Sequence, residues 1–579
     1  MDKNFVIAIL LMTLIIIAFS SPQYQKRFGK KLPEKPAVEQ TESGSRRNAL
    51  DDRARVRPER IDRPIPVTAP QVQADTLRST LSEETIFQVN VPSSEEDFSL
   101  ENETVQIIFS PRGCVITNAV LKNFTAKGSG STVQLVTEGE SWYDGFIRDG
   151  ELVIYFSDLL FSKKSLSREY AVYEAELSGN RIITKEFSIH PNGYVLNAKT
   201  NLSGSWNDPQ LNFSWHGPIN ETETPFKSLK IWPFSMLMRD EQAIYKNTVY
   251  LGQGERKTIA LNGKEKKPRA IYSKEAQKLD AKKEGAGSDI FIGDLDWYAL
   301  RSKYFIAAIV PDEKMRWEAF SQFSNNGSKK WFDFTLAKNV SAGNTDIELY
   351  IGPISYDMLK GYGHNLTEAM ELSFIRFIRP LSILFLWLFK KLHTFISNWG
   401  IVIIVFSIII KIALFPLSKK SFDSMHKMSE LQPQINILRE KFKNNQQGLQ
   451  KATMELYKKE GVNPLGGCLP TLFQMPVFFA LYPVVGRAFE LRQAMFIPHW
   501  IEDLSRPDPF YILPVAMGVS MFFQMRKTSK DPNQKAMLYI MPVMMVIMFS
   551  NFSAGLTLYW FMFNIISLLQ QKFHLSTKK

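Results

Sequence analysis

A lysine near the middle of an apolar stretch is the residue of this sequence best placed to do chemistry. The stretch is 399–417 (WGIVIIVFSIIIKIALFPL), whose length predicts a membrane-spanning helix, and the lysine is Lys411. A charge at that depth costs roughly 2.5–3.5 kcal/mol on insertion scales. Ser407 precedes Lys411 by four residues, so a helix places both on one face, which we expect to look into protein or water. The alternative is that Lys411 reaches the nearby interface along its own side chain.

A second set of polar residues lies upstream, in a region without apolar spans. His190, His216, Glu221 and Glu223 would fit an acid–base pair in a sugar-binding cleft, but they equally fit the surface and turns of a β domain. The stretch 251–258 (LGQGERKT) lacks the spacing of a phosphate-binding loop, and the sequence has no HExxH, CxxC or G-x-S-x-G pattern. We therefore predict no catalytic residues, no metal site, no cofactor and no enzyme activity.

The overall composition limits the class of protein. With 579 residues the chain exceeds one domain, and its mean hydropathy of −0.15 averages a polar part with a very apolar one. The net charge of +12 is spread along the chain without a nucleic-acid-binding module, so we expect no nucleic-acid substrate. The positive charge is better explained by membrane topology and contact with anionic lipids. Cys114 and Cys468 lie in different regions and predict no disulfide framework.

Two segments precede the first folded domain. Residues 1–21 are apolar behind a short head containing Lys3 and predict a transmembrane anchor, with a cleaved signal sequence as the alternative. Residues 22–84 are rich in proline and arginine. They predict a disordered periplasmic linker, because such a composition buries too little apolar surface to offset the entropy of ordering.

The region 85–360 predicts an all-β sandwich on the exported side. Its strand-like runs, separated by Gly, Asn, Pro and Ser turns, are 87–91, 105–109, 152–156, 182–189, 195–202 and 347–351. Apolar and polar residues alternate in the first runs, and no sustained helical period separates them. We therefore predict an antiparallel β-sandwich.

The last third predicts a helical membrane part. Residues 373–396 are basic and amphipathic and predict an interfacial helix, and residues 398–573 predict a core of five spans. The spans are expected at about 399–417, 465–485, 510–525, 536–552 and 555–570. The predicted fold is thus a multi-pass α-helical membrane protein, with an N-terminal anchor, a five-span core bundle and a large all-β periplasmic sandwich.

Positive charge predicts which loops face the cytoplasm. Residues 418–461 carry lysines and arginines and predict a cytoplasmic helical hairpin, and the tail 574–579 is basic as well. Met425, Met428 and Leu431 lie on the apolar stripe of the hairpin. They are expected to pack its helices together, or alternatively to contact partner proteins, because methionine adapts to many surfaces.

Several motifs of the membrane part resemble the YidC/Oxa/Alb family of membrane protein insertases. They are NPLGGCLPTLFQMP at 463–476, Trp399-Gly400, the span with Lys411 that ends in FPL at 415–417, LQP at 431–433 and GLTLYW at 555–560. The resemblance covers about 379–573. It is looser in the β region, where 296–311 and the YIGP at 350–353 resemble the end of the family's periplasmic domain.

The resemblance implies a hydrophilic groove for incoming membrane proteins. Lys411 stands where the family has a groove arginine. The lysine keeps the positive charge but lacks the guanidinium, which can donate two parallel hydrogen bonds. Ser407 takes the place of a groove threonine, and Tyr559 and Trp560 take that of an aromatic pair. Gln474 lies on the next span and is counted with the groove.

The function implied is that of an insertase in a Gram-negative inner membrane, with the C-terminus in the cytoplasm. Its expected partners are nascent membrane proteins, the ribosome, the Sec translocon and membrane lipids. The alternatives are a membrane-anchored periplasmic carbohydrate-processing enzyme, which needs clustered acids and bases in the sandwich, and an ion-coupled transporter, which needs carboxylates within its spans.

Overall fold

The structure is a computed structural model. It describes residues 88–92, 96–127, 130–139, 141–220, 222–223, 247–259, 269–271, 277–279, 285–311, 316–325, 330–340, 344–373, 375–443, 445–462, 469–528 and 535–576. The predicted anchor at 1–21, the linker at 22–84 and the tail at 577–579 lie outside these residues, as do Glu221 and Cys468. Phe87–Lys579 form one compact unit.

Twenty strands lie between residues 88 and 353 of the described chain. They are β1 (Gln88–Val89), β2 (Phe98–Glu101), β3 (Val105–Ser110), β4 (Val115–Thr125), β5 (Thr132–Val136), β6 (Trp142–Asp149), β7 (Leu152–Tyr155), β8 (Ser162–Leu166), β9 (Tyr170–Leu177), β10 (Arg181–Ile189), β11 (Val195–Ser203), β12 (Pro209–His216), β13 (Asn247–Ile259), β14 (Arg269–Ile271), β15 (Gln277–Leu279), β16 (Gly285–Arg301), β17 (Phe305–Pro311), β18 (Arg316–Asn325), β19 (Lys330–Asn339) and β20 (Asn344–Pro353). The runs expected at 105–109, 182–189, 195–202 and 347–351 are confirmed as strands. The run at 152–156 ends as a strand at Tyr155, and in the run at 87–91 only Gln88–Val89 is a strand among the described residues.

The strands pair antiparallel throughout their ladder. Its order is β9–β10–β11–β20–β17–β16–β18–β19–β12–β6–β4–β3–β2. The remaining strands attach along it: β13 pairs with β16, β5 with β4, β7 with β6, and β1 and β8 with β9, while β14 and β15 pair with β13. The two ends meet face to face, because Phe98 on β2 stacks on Tyr173 of β9 with centroids 4.1 Å apart, and Phe109 on β3 lies 4.8 Å from Phe187 on β10. This packing gives the predicted sandwich.

Residue alternation explains which strands are half-buried and which are central. Val105, Ile107 and Phe109 are buried and their neighbours are partly exposed, as expected for a strand with one face on the core. Every residue of β17 is buried, because it lies between β16 and β20. The stretch 251–258 lies within β13, paired with β16, and is therefore part of the sheet rather than a ligand-binding loop.

Ten α-helices follow in the described residues. They are α1 (Tyr356–Tyr362), α2 (Arg379–His393), α3 (Trp399–Ala413), α4 (Phe415–Glu430), α5 (Gln432–Lys441), α6 (Gln446–Lys459), α7 (Leu469–Arg487), α8 (Ile512–Thr528), α9 (Lys535–Phe549) and α10 (Ala554–Ser576). Helix α2 is the predicted amphipathic helix: Phe385 and Phe389 are buried on one face, while Leu384 and Trp387 are exposed on the other.

Helices α3, α7, α8, α9 and α10 occupy the positions of the five predicted spans. None of the described helices is both long and apolar enough to cross a membrane. Helix α3 ends at Ala413, four residues before the predicted end, and α4 begins two residues later. Pro416 accounts for this break, because a proline favours the first turn of a new helix over the interior of an existing one.

The predicted hairpin has three helices rather than two. Its first arm breaks at Leu431 between α4 and α5, where Pro433 occupies the first turn of α5. Leu431, Ile435 and Val462 form a small buried cluster, against which Met428 and Leu456 pack. Asn445 caps the N-terminus of α6 by accepting a hydrogen bond from the backbone N–H of Gly448.

Candidate functional site: a polar face among the core helices

Lys411 lies inside the helical bundle. Its side chain is 2% exposed, and Nζ lies 3.6 Å from the centroid of the Phe563 ring on α10. Ser407 is fully buried one turn earlier, and its Oγ donates to the carbonyl oxygen of Ile403 over 2.7 Å. Within the part of the chain that the structure describes, no acidic side chain acts on Lys411. The result is a buried cation whose neighbour is an aromatic ring rather than a carboxylate.

Gln474 and Tyr559 lie beside each other on α7 and α10. Both are buried, and their side chains are neighbours. Neither Nε2 of Gln474 nor Oη of Tyr559 makes a hydrogen bond of normal geometry to the described residues. Tyr559 also contacts Phe406 and Phe563, with centroids 6.2 Å away in each case. Phe563 thus contacts both Tyr559 and Lys411, so that a chain of side-chain contacts joins Gln474 to the cation.

Trp560 faces a different part of the bundle. Its ring packs edge-on against Phe478 of α7 at 5.5 Å and lies 5.3 Å from Phe549 of α9. Adjacent helical residues point about 100° apart, so Tyr559 and Trp560 cannot share one face. The structure therefore brings together Lys411, Gln474 and Tyr559 and leaves Trp560 in a cluster that packs helices.

The structure adds polar residues that the sequence reasoning did not select. Asn564, Ser567 and Gln571 are buried at helical spacing along α10, and Ser520 is buried on α8. The Asn564 amide donates weakly to the Ser520 hydroxyl over 3.4 Å. Their spacing of three and four residues was the available signal. It was missed because the family resemblance pointed only to Tyr559 and Trp560 in the last span.

Residues 488–511 join α7 to α8 and are named here the cap loop. The polar face lies away from this loop. The cap loop holds two helix starts: Asn398 Nδ2 donates to the carbonyl oxygen of Phe496 before α3, and the backbone N–H of Gly555 in α10 donates to the carbonyl oxygen of Leu504. Lys411 lies twelve residues into α3, or roughly 18 Å from that end. Apolar residues fill the intervening level, namely Ile403, Leu481, Val484, Val485 and Leu556. The bundle is thus apolar near the cap loop and polar toward the other end.

The candidate acid–base residues that the structure describes, His190, His216 and Glu223, have separate structural partners. The His190 ring bonds within its own turn to the backbone of Asn192, and His216 pairs with Asp333 at 3.4 Å. Glu223 pairs with Arg492 of the cap loop at 2.5 Å. These contacts support the interpretation as surface, turn and interface residues.

The hairpin residues lie at one small core. Leu431 is buried and Met428 partly buried in the cluster with Ile435. Met425 lies on α4, and its side chain is outside the described part of the structure. Met428 and Leu431 therefore contribute to packing between the hairpin helices.

Two family models match the chain over almost all of its described part. One, the YidC periplasmic domain, matches residues 97–384, and the other, the 60Kd inner membrane protein, matches residues 391–579. A membrane protein insertase YidC from Polynucleobacter necessarius is 31% identical over 504 residues, covering 83% of this chain and 84% of that protein. The chain belongs to the YidC family of membrane protein insertases. The two matches correspond to its sandwich and its helical part.

Other YidC insertases show the same similarity. That of Chlorobaculum tepidum is 29% identical across 99% of this chain and 94% of its own length. That of Coxiella burnetii is 42% identical over 285 residues, which is 48% of this chain and 50% of that protein. Among solved structures, an active YidC insertase with its first transmembrane domain resolved matches at 17% identity and a TM-score of 0.35, covering 84% of this chain and 94% of that one.

Proposed function

We propose that this chain receives newly made membrane proteins at the polar face formed by Lys411, Ser407, Gln474 and Tyr559, and releases them into the inner membrane. The observation that carries the proposal is the burial of Lys411 without an acidic partner in the described chain. A buried cation without a counterion is costly, so the site favours an anionic or strongly polar visitor. An acidic residue of a translocated tail would supply that charge.

Neutral polar groups of the same face also support the binding of an incoming membrane protein. The unsatisfied amide of Gln474 and hydroxyl of Tyr559 would bond to a passing peptide backbone, which must remain hydrogen-bonded away from water. The residues Asn564, Ser567 and Gln571 extend this polar face along α10. The tail would leave as its hydrophobic segment enters lipid, at about 0.8 kcal/mol per buried methylene.

The distribution of positive charge and the match to a periplasmic domain support one orientation. The proposal places the sandwich in the periplasm, the five core helices in the membrane, and the hairpin and C-terminus in the cytoplasm. The hairpin would meet the ribosome or the nascent chain, and the core would work alone or beside the Sec translocon. The polar end of the bundle then faces the cytoplasm, from which substrates arrive.

Site-specific crosslinking tests the proposal. The purified chain is reconstituted in liposomes with a photo-reactive residue at position 407 or 411, and a short membrane protein with an acidic translocated tail is synthesised beside it. Crosslinks to the tail at both positions, together with protease-protected insertion, are expected. A probe at exposed Ile412 is the matched control, because that side chain points out of the bundle. Insertion without crosslinks at 407 and 411 would contradict the assigned face.

A further inference from the structure

Arg492 connects the cap loop to the sandwich domain. Its Nε lies 2.5 Å from Oε1 of Glu223, and its Nη2 donates to the carbonyl oxygen of Thr125 over 2.6 Å. The two charged side chains are 6% and 9% exposed. Glu223 and Arg492 are 269 residues apart in the chain, so this pair joins two distant parts of the fold.

An aromatic contact accompanies the ion pair. Phe489 of the cap loop packs edge-on against Phe124 at 5.1 Å and against Phe305 at 5.7 Å. The Arg492 guanidinium lies 5.2 Å from the centroid of the Phe305 ring. Rings and a partly desolvated guanidinium in this arrangement attract each other.

A second group of contacts closes the other side of the same interface. Asp503 pairs with Lys127 of the sandwich at 3.2 Å and with Arg506 at 3.4 Å. The hydroxyls of Tyr304 and Ser505 lie 2.6 Å apart. The cap loop is therefore held to the sandwich at both of its ends.

The cap loop also holds the ends of the core helices, through its bonds to the starts of α3 and α10 and its direct continuation into α7 and α8. We propose that Arg492 is a positioning residue. Through its pair with Glu223 it fixes the cap loop on the sandwich, and the fixed cap loop keeps the apolar end of the bundle closed toward the periplasm. The role in closure rests on the proposed function; the fixing of the loop does not.

The two partners of the pair are not equivalent. Without Glu223, Arg492 would be a buried cation with no carboxylate partner among the described residues, and such orphaned charges are strongly destabilising. Without Arg492, Glu223 would still lie 3.7 Å from Arg506. Loss of the glutamate should therefore loosen the cap loop more than loss of the arginine does.

Hydrogen exchange of the full-length chain in lipid nanodiscs tests the inference. The variants are Glu223→Gln, Arg492→Met and the double variant, and Glu174→Gln is the control because its pair with Lys164 is on the exposed sandwich surface. We expect exchange of cap-loop amides to be faster by about tenfold in Glu223→Gln. The increase should be smaller in Arg492→Met, partly reversed in the double variant and absent in the control.

The same preparations are assayed for insertion in liposomes. A severalfold loss in Glu223→Gln that the double variant partly restores is the expected result. Unchanged exchange in Glu223→Gln would overturn the fixing of the loop, whether or not the chain inserts. Faster exchange with undiminished insertion would overturn the closing role. Failure of the unmodified chain to insert any substrate would instead count against the proposed function, while the exchange result would still decide whether Arg492 fixes the loop.

Discussion

The Lys411 ammonium lies 3.6 Å from the centroid of the Phe563 ring, which joins α3 to α10 through a cation and an aromatic face. A desolvated contact of this kind stabilises by about 2 kcal/mol, less than the cost of burying an unpaired charge. The ring therefore supports the lysine without neutralising it. An acidic group from outside the chain would make up the difference.

Substitutions at position 411 should separate the effect of the side chain's charge on insertion from the effect of its shape. Lys411→Arg is expected to keep insertion within about twofold, because a guanidinium retains the charge and also stacks on the Phe563 ring. Lys411→Ala and Lys411→Glu should reduce insertion of a substrate with an acidic tail by about tenfold or more, since the attraction is lost or reversed. Insertion is measured by protease protection in liposomes.

The matched control is the same substrate with a neutral tail. It should insert equally well with lysine, arginine or alanine at position 411. If Lys411→Ala inserts both substrates equally, electrostatic capture by this residue is wrong. A lysine that served only to reach the interface would give that result.

Removing the Tyr559 hydroxyl should raise the stability of the chain and lower its insertion activity. Its buried hydroxyl has no hydrogen-bond partner of normal geometry in the described chain, so Tyr559→Phe is expected to raise the free energy of unfolding by about 1 kcal/mol. The same change should lower insertion severalfold if the hydroxyl bonds to substrate. Thermal unfolding and insertion are measured in parallel.

The neighbouring Trp560 is the control for that experiment. It packs against Phe478 and Phe549, so Trp560→Phe should lower stability and reduce the insertion of all substrates to the same extent. A Tyr559→Phe variant that is less stable than the unmodified chain would contradict the assignment of an unsatisfied hydroxyl.

Local sequence patterns predict most of the elements. Alternation at 105–109 gives β3, and apolar runs locate the core helices within a few residues. The break at Leu431 was missed because its apolar spacing continues through it, although Pro433 marks a new helix. Contacts such as Glu223 with Arg492 could not be predicted, because no local period relates residues in a sheet to a loop between helices.

The candidate site was predictable to a similar extent. Lys411 and Ser407 follow from helical spacing, and the structure buries both. Trp560 was paired with Tyr559 through the family resemblance, but adjacent helical residues point in different directions. The polar residues of α10 were not predicted, because amides and hydroxyls in an apolar stretch are a weaker signal than a charge.

The hairpin is expected to open independently of the core helices. Its described core consists of Leu431, Ile435 and Val462 with a few partly buried neighbours. Leu431→Ala should therefore speed amide exchange in α5 and α6 by about tenfold or more, since such truncations cost about 2–5 kcal/mol. Exchange in α3 and α10 should not change.

Ile437→Ala is the matched control, because Ile437 lies on α5 and is 66% exposed. It should leave exchange in the hairpin unchanged. Equal protection of the hairpin and α10 in the unmodified chain would show that the hairpin does not open on its own.

Lys185 gives the sandwich a distinct pH dependence. It is buried on β10, where Nζ donates to the carbonyl oxygen of Gly113 over 2.7 Å and lies 3.7 Å from the Phe156 centroid. Burial lowers the pKa of Lys185 to about 8 and raises the pKa of the neighbouring Cys114 to about 12. Burial also raises the pKa of Asp144 nearby.

The pKa shifts of Lys185 and Cys114 change the stability of the sandwich in opposite directions as the pH rises. Between about pH 8 and 10.5 the unfolded chain holds the lysine proton and the folded chain has released it, so stability rises with pH. From about pH 9 to 12 the folded chain retains the thiol proton that the unfolded chain loses, so stability falls. The unmodified sandwich should gain stability from pH 8 to 9 and change little from 9 to 9.5. Nearer pH 10 its stability should fall, because burial raises the pKa of Tyr173, Tyr250 and Tyr298 and only the unfolded chain ionises these side chains there.

Lys185→Met should remove the rise in stability that Lys185 causes and leave the fall that Cys114 causes. The variant is expected to show no gain from pH 8 to 9 and a decline above pH 9, and to differ from the unmodified chain by on the order of 2–3 kcal/mol across the range. Urea unfolding followed by the fluorescence of buried Trp215, Trp297 and Trp317 measures this at each pH. Lys163→Met, at an exposed lysine of β8, should follow the unmodified profile. A rise between pH 8 and 9 that persists in Lys185→Met would show that another group carries the dependence.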